Sequence, residues 1–374
     1  MSQDIRAFVP PSCDLVGLGE PTHFEPAFAR LRNDLFARLV DSGFRSFALE
    51  SDRVAGFVVD DFVQEGVGDL DTALREGISH DFGELEANRD LVAWLREYNE
   101  GRPPEQRVAC HGIDAPLETM SAPGPRRYLE FARDYLELDL DLTDLLGADE
   151  RWSRTEAVLD PAMSPGATAE AEKLATIGDD LLSQLYGRAP ALIAKTSRAQ
   201  WLRARANLTA ALGLLRYHRQ AARRLEPEAR ISLLSGTRDV LMAQNLLEIR
   251  DIEADRGPTL VFAHNSHLQR TVTHMPMGEL DITWSPTGAI AAQFLGDRYT
   301  FIAGSLGHSE AIDLGEPAPD TFEGFLQHRF PTWGLLPVAD LPTARVRTDV
   351  TQPQGYFPLD PTILAGMDAV LHIA

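Results

Sequence analysis

Four short stretches carry acids and histidines that could act together: Gly19-Glu20-Pro21-Thr22-His23, Glu50-Ser51-Asp52, His111-Gly112-Ile113-Asp114 and His264-Asn265-Ser266-His267. Each ends an apolar run of the kind that forms a buried strand. In open parallel sheets, ligands bind beyond the carboxyl ends of the strands, so Glu20, His23, Glu50, Asp114 and His264 are expected on one edge. His23 is the candidate base. It stands just before an amphipathic run beginning near Phe28, where unsatisfied helix N–H groups favour neutral imidazole, and a neutral imidazole takes a proton from water. Glu20 and Glu50 could do complementary jobs, one holding the tautomer and steadying the imidazolium, the other orienting the attacking water. The same groups are acceptable ligands for Zn²⁺ or Mn²⁺, and no H-E-x-x-H pair decides the matter. The expectation is no cofactor and no assigned metal ligand, with a divalent metal left open.

Other chemistries have little to stand on. G-x-S-x-G is absent, and Ala303-Gly304-Ser305-Leu306-Gly307 lacks the motif's context of strand, sharp turn and helix. No P-loop occurs, and Gly17-Leu18-Gly19-Glu20 lacks the third glycine of a dinucleotide fingerprint. Activated water is the economical mechanism.

The elements that must position these residues read as an α/β fold with a mostly parallel central sheet flanked by helices. Apolar runs at 14–19, 45–50, 107–111, 259–263, 299–303 and 369–373 are the expected strands. Phe28, Leu31, Leu35 and Leu39 form one helical stripe between the first two, making a β-α-β unit. That helix has two possible starts. Thr22 and Glu25 fit a capping box, whereas Pro26 suits the first helical position and would leave His23 in a loop. Residues 126–230 are rich in Ala, Leu, Arg and Glu and read as a helical insertion, a wall or lid for a pocket. The α/β core is then divided into 1–125 and 231–374. The acidic stretch at 136–150 reads as a solvated face.

The chain has 374 residues, with 56 acidic against 35 basic side chains and a formal charge of -21. That balance argues against a nucleic-acid partner, since phosphate neutralisation needs a basic face. It also makes an acidic pocket suited to neutral or amine-bearing small molecules. Cys13 and Cys110 are too few for a disulfide framework, and no leader or long apolar span is seen. The expectation is a cytoplasmic protein with a small-molecule substrate and no membrane partner; oligomeric state is not encoded in these features.

The sequence also resembles a family. Gly19-Glu20-Pro21-Thr22-His23, Phe28-Ala29-Arg30-Leu31-Arg32, Gly43-Phe44-Arg45 to Glu50, Arg238-Asp239 to Met242-Ala243 with Asn245, and Ala263-His264-Asn265-Ser266-His267 are similar to the erythromycin esterase family in order and spacing. The resemblance implies an esterase acting on macrolide lactones through a histidine-activated water. By position it implies that His23 is the general base, Glu20 and Glu50 its acidic partners, and His264 a second histidine suited to oxyanion stabilisation or leaving-group protonation. Phe24, Arg32, Asp114, Arg238 and His267 are the expected substrate-side residues. Arg32 can approach the site only if the helix begins after His23, because nine residues on one helix would place the two on opposite faces. Two departures stand out: Phe24 replaces the family's usual glycine, and His80-Asp81-Phe82-Gly83-Glu84-Leu85-Glu86 replaces a tryptophan-rich segment. Two other functions share these residues: a biosynthetic enzyme driving cyclisation, elimination or ring opening, and a metal- or haem-binding protein.

Overall fold

The computed structural model describes residues 4–118 and 120–374. Among these residues, seven strands form one sheet and two form a separate hairpin. In chain order they are β1 (Leu15–Glu20), β2 (Ser46–Asp52), β3 (Ala109–Asp114), β4 (Thr259–His264), the hairpin strands β5 (Thr273–Met277) and β6 (Leu280–Trp284), then β7 (Tyr299–Leu306), β8 (Trp333–Pro337) and β9 (Ala369–Ile373). The sheet order is β3-β2-β4-β1-β7-β9-β8, parallel except for β8, which runs antiparallel to β9. The α/β reading with a mostly parallel sheet therefore holds. Strands β1 to β4 and β7 are buried along their whole length, with no alternation, because helices cover both faces.

The register brings the expected residues to one edge. β1 and β4 pair so that Glu20 lies opposite His264, and β2 and β4 pair Leu49 with Phe262, which sets Glu50 beside them. β2 and β3 pair Asp52 with Asp114 across a register shift. The second and third strands extend further than the apolar runs at 45–50 and 107–111 suggest, so Ser51, Asp52 and Asp114 are strand residues and not the loop residues that follow. His111 lies within β3 and bonds Glu253 at 2.9 Å, away from the other histidines.

The helix after β1 runs over Pro26–Asp41, with Pro26 at its first position and the Glu25 side chain capping Ala27 N–H. Of the two possible starts, the later one is observed. Proline has no N–H to lose there, whereas an earlier start would have cost a backbone bond. Its Phe28, Leu35, Phe36 and Leu39 pack on Val16, Leu18, Phe47 and Leu49 of the sheet. On the opposite face, Ala48, Ile113, Val261 and Phe301 are covered by Met242, Leu246 and Ile249.

Those last three belong to the Pro227–Glu253 helix, which has a second task. Its Leu234 and Leu241 join Tyr128, Trp152, Leu174, Leu208 and Leu214 in a separate core built by the helices between Arg126 and Ala221. Apolar on two sides, this helix fixes the helical layer to the sheet and runs unbroken past residue 230. In the 136–150 stretch Leu136, Leu142 and Leu146 are buried while Glu137, Asp139, Asp141 and Asp144 face solvent, the amphipathic split expected of a solvated face. No helix among the described residues is long and apolar enough to cross a membrane.

Candidate active site

At the carboxyl edge of the sheet, Glu20 and His23 form the first pair. His23 Nδ1 lies 2.8 Å from Glu20 Oε1, which fixes the tautomer and leaves Nε2 facing Glu50 Oε1 across 3.9 Å. Burial opposes a charge on His23, yet the Glu50 and Glu20 carboxylates outweigh it and raise its pKa. The expectation that the helix terminus sets the proton affinity of His23 is thus corrected. His23 sits in the loop before Pro26, and two nearby carboxylates count for more than the helix terminus. Burial raises Glu20 above the usual carboxylate value.

Glu50 is the hub. Its Oε2 accepts the His264 backbone N–H at 2.8 Å, and its Oε1 lies 3.2 Å from Arg238 Nη2 and 3.4 Å from His267 Nε2. Burial works against ionisation, but His267, His23 and Arg238 hold its pKa well below the ordinary range. Glu50 is a fixed anion.

Its cations are held from behind. Arg238, on the Pro227–Glu253 helix, makes two-pronged contact with Asp114 at 2.5 to 3.2 Å. His267, on the one-turn helix Asn265–Leu268, gives Nδ1–H to Asp239 at 2.9 Å. Asp239 is fully buried and also accepts Trp284 Nε1–H at 2.7 Å, Thr287 N–H at 2.7 Å and the Thr287 hydroxyl at 2.8 Å. Although burial disfavours the imidazolium, Asp239 and Glu50 push His267 up to about 10.

His264 is the opposite case. Burial together with the neighbouring His23 pushes it down to about 3, so it is neutral. Its Nδ1 accepts the Ser266 N–H at 3.2 Å, which leaves the hydrogen on Nε2. Its ring is 5.1 Å from that of His23. Two histidines three residues apart thus hold opposite charge states. Asn265 between them bridges to β7, taking Gly304 N–H and giving to Gly304 C=O, both at 2.9 Å. This demands glycine in β1: a Cβ on Gly19 would lie 2.1 Å from Asn265 Oδ1.

The remaining expected residues divide by depth. Phe24 is half exposed beside His23, with its ring 5.5 Å from that of Phe82. Its φ is 62°, a left-handed conformation that favours glycine. Asp114 is fully buried with its oxygens taken by Arg238, His80 and the Ala115 N–H, an arrangement that positions Arg238 and corrects the expected substrate contact. Arg32 is likewise corrected from a substrate contact. It is 1% exposed, bonded to Asn88 and set against the Phe47 and Phe262 rings, and it lines a small cavity with Glu20 and Glu50. It supplies a cation behind the acids.

Four residues of the site had no role assigned from the sequence: His80 and Phe82, seen only as part of the departing 80–86 segment, Asp239, seen only beside Arg238, and Phe357. Phe82 and Phe357 wall the site, 5.2 Å from the His23 ring and 4.7 Å from the His264 ring respectively. Asp239 carried one signal, its place beside Arg238. Among the described residues, no group of three or more His, Cys, Asp and Glu side chains is arranged to hold a metal ion.

This edge defines an α/β protein whose Glu/His cluster occupies the position at which open sheets bind ligands. Residues 40–369 match the model of the erythromycin esterase family, and the chain belongs to that family. It is 26% identical to the erythromycin esterase type II of Escherichia coli over 326 residues, 84% of this chain and 74% of that one. Among solved structures, a Bacillus cereus protein superposes with a TM-score of 0.69 at 18% identity, covering 97% of this chain and 88% of that one. A mutant of the erythromycin esterase EreC in its open conformation gives 0.67 at 20% identity, covering 97% and 90%. A succinoglycan biosynthesis protein gives 0.61 at 18%, covering 97% and 88%.

Proposed function

We propose that the protein hydrolyses an ester or lactone of a bulky, macrolide-type natural product with water activated by His23. The observation that carries this is the geometry of the base: Nδ1 tied to Glu20 at 2.8 Å and Nε2 opening onto Glu50 across 3.9 Å. A water lodged between them reaches both at about 2.8 Å. His23 Nε2 takes one proton from it, and Glu20 and Glu50 steady the resulting imidazolium. The hydroxide adds to the ester carbonyl. His264 Nε2–H is the donor suited to the developing oxyanion, because a buried neutral imidazole keeps its hydrogen through the reaction. Collapse expels the alkoxide, which recovers the proton from His23. The products are an acid and an alcohol, in a lactone one opened chain.

Phe24, Phe82 and Phe357 offer an apolar rim for a large ring. The test is incubation with erythromycin. The expected product is heavier by one water, and His23→Gln should slow its formation by about 10²- to 10⁴-fold while remaining folded. Turnover at the wild-type rate by that variant would remove His23 from the role.

A further inference from the structure

His80 lies outside the pairs described so far, on the segment between the Leu70–Gly77 helix and the turn at Phe82–Glu84. Its Nε2 is 3.0 Å from Asp114 Oδ2 and its Nδ1 is 3.0 Å from Glu118 Oε2. A ring with a carboxylate at each nitrogen donates twice, which only the imidazolium does. The backbone holding it is unusual. His80 and Asp81 are consecutive non-glycine residues with φ of 60° and 58°. Such strain persists where surrounding contacts over-determine it. Here the contacts are the two carboxylates and a dock on β2, where Ser79 N–H donates to Ser51 Oγ at 2.8 Å and Asp52 N–H donates to Ser79 Oγ at 2.9 Å.

Two lines run from His80 to the base. One is electrostatic: Glu118, His80, Asp114, Arg238 and Glu50 follow one another at 3.0, 3.0, 2.5 and 3.2 Å, from a half-exposed carboxylate to the buried anion opposite His23. The other is steric: the Phe82 ring lies 5.8 Å from His80 and 5.2 Å from His23. Asp114 divides itself between His80 and Arg238. Without the His80 cation it would draw Arg238 toward itself and away from Glu50.

We propose that His80 is a positioning residue for the reaction, a charged clamp that keeps Arg238 leaning on Glu50 and Phe82 against the His23 ring. This rests on the reading of His23 as the base. The charged groups facing His80 are Asp114 from β3, Arg238 from the Pro227–Glu253 helix and Glu118 from the loop after β3. Burial and Arg238 oppose its charge, but Asp114 and Glu118 outweigh them and raise its pKa above the ordinary histidine value, so the clamp is lost as pH rises through that raised pKa.

The experiment has two readouts on the full chain: the pH profile of kcat/KM for erythromycin hydrolysis, and the titration of His23 followed by its side-chain ¹⁵N signals. Loss of the His80 charge removes a cation at most about 11 Å from His23, since the Phe82 ring lies 5.8 Å from one and 5.2 Å from the other. At that separation, and at an effective dielectric constant of 20 to 80, this is worth at least about 0.3 to 1 pH unit. His80→Gln is expected to move the His23 titration, and with it the acid limb of the profile, upward by that amount. Any fall of the profile above neutral pH that belongs to His80 should vanish, whereas one near 10 belongs to His267 and should stay. Glu118→Gln changes only the charge of a half-exposed residue, and is expected to bring the His80 limb to lower pH. If both variants leave the limbs and the His23 titration in place, the proposal is overturned. If wild-type protein hydrolyses no ester, the esterase reading fails, while the His23 titration in His80→Gln still decides the clamp.

Discussion

Asp239 is fully buried behind His267, yet replacing it by asparagine should reach the centre of the site. The carboxylate is fully buried among donors: His267 Nδ1–H, Trp284 Nε1–H and the Thr287 N–H and hydroxyl, all within 3.0 Å. Asparagine offers one acceptor oxygen and turns two hydrogens toward groups that themselves donate. It also removes the first of the two anions that push His267 from 6.5 up to about 10. That displacement corresponds to about 5 kcal/mol of preference for the imidazolium, and the loss on substitution should be about 3–5 kcal/mol. The sign with pH follows. A raised pKa contributes stability that is complete below 6.5 and disappears as pH climbs to about 10, at up to about 1.4 kcal/mol per unit. Urea unfolding of wild type and Asp239→Asn at pH 6, 7, 8, 9 and 10 should therefore show two curves that converge as pH rises. A difference that stays constant across that range, or a variant as stable as wild type at pH 6, would refute the buried Asp239–His267 ion pair.

Other outcomes follow from the same geometry. Glu20→Gln removes a carboxylate that raises His23, so the acid limb of kcat/KM, expected above pH 6.5 in wild type, should move down while kcat falls; an upward shift would contradict the pairing. Gly19→Ala drives a methyl onto Asn265 Oδ1 and should cost about 2–4 kcal/mol by urea unfolding, with loss of activity as His264 shifts. Phe24→Gly relieves about 1 kcal/mol of left-handed strain but removes an apolar wall, so Tm should hold or rise while KM increases.

What could be read from the sequence was the convergence. Glu20, Glu50, Asp114 and His264 end apolar runs, and parallel strands have a common carboxyl edge, so their meeting follows from topology alone. The strand ends were less legible: Ser51 and Asp52 are polar, and only pairing with β3 reveals that the strand continues through them. Charge states lay further out of reach. His264 and His267 are three residues apart in one motif, but one faces a neighbouring histidine and the other a buried aspartate, so their proton affinities move in opposite directions. Asp239 shows why. It adjoins Arg238, and successive helix residues point about 100° apart, so the orientation of the whole helix decides that one reaches His267 and the other Glu50. Arg32 is similar. Its spacing allowed an approach to the acids, but the packing of Phe47 and Phe262 that holds it behind them is a tertiary fact. The hairpin β5–β6, whose Trp284 steadies Asp239, comes from a short run with Pro276 inside it, a weak strand signal.

The central claim is that His23 activates a water to open a lactone. Its most direct test is the mass and rate of product formation from erythromycin by wild type and His23→Gln, both shown to be folded. The structure predicts a product heavier by one water from wild type, and a rate lower by about 10²- to 10⁴-fold in the variant. A product of unchanged mass, or equal rates from the two proteins, would contradict it.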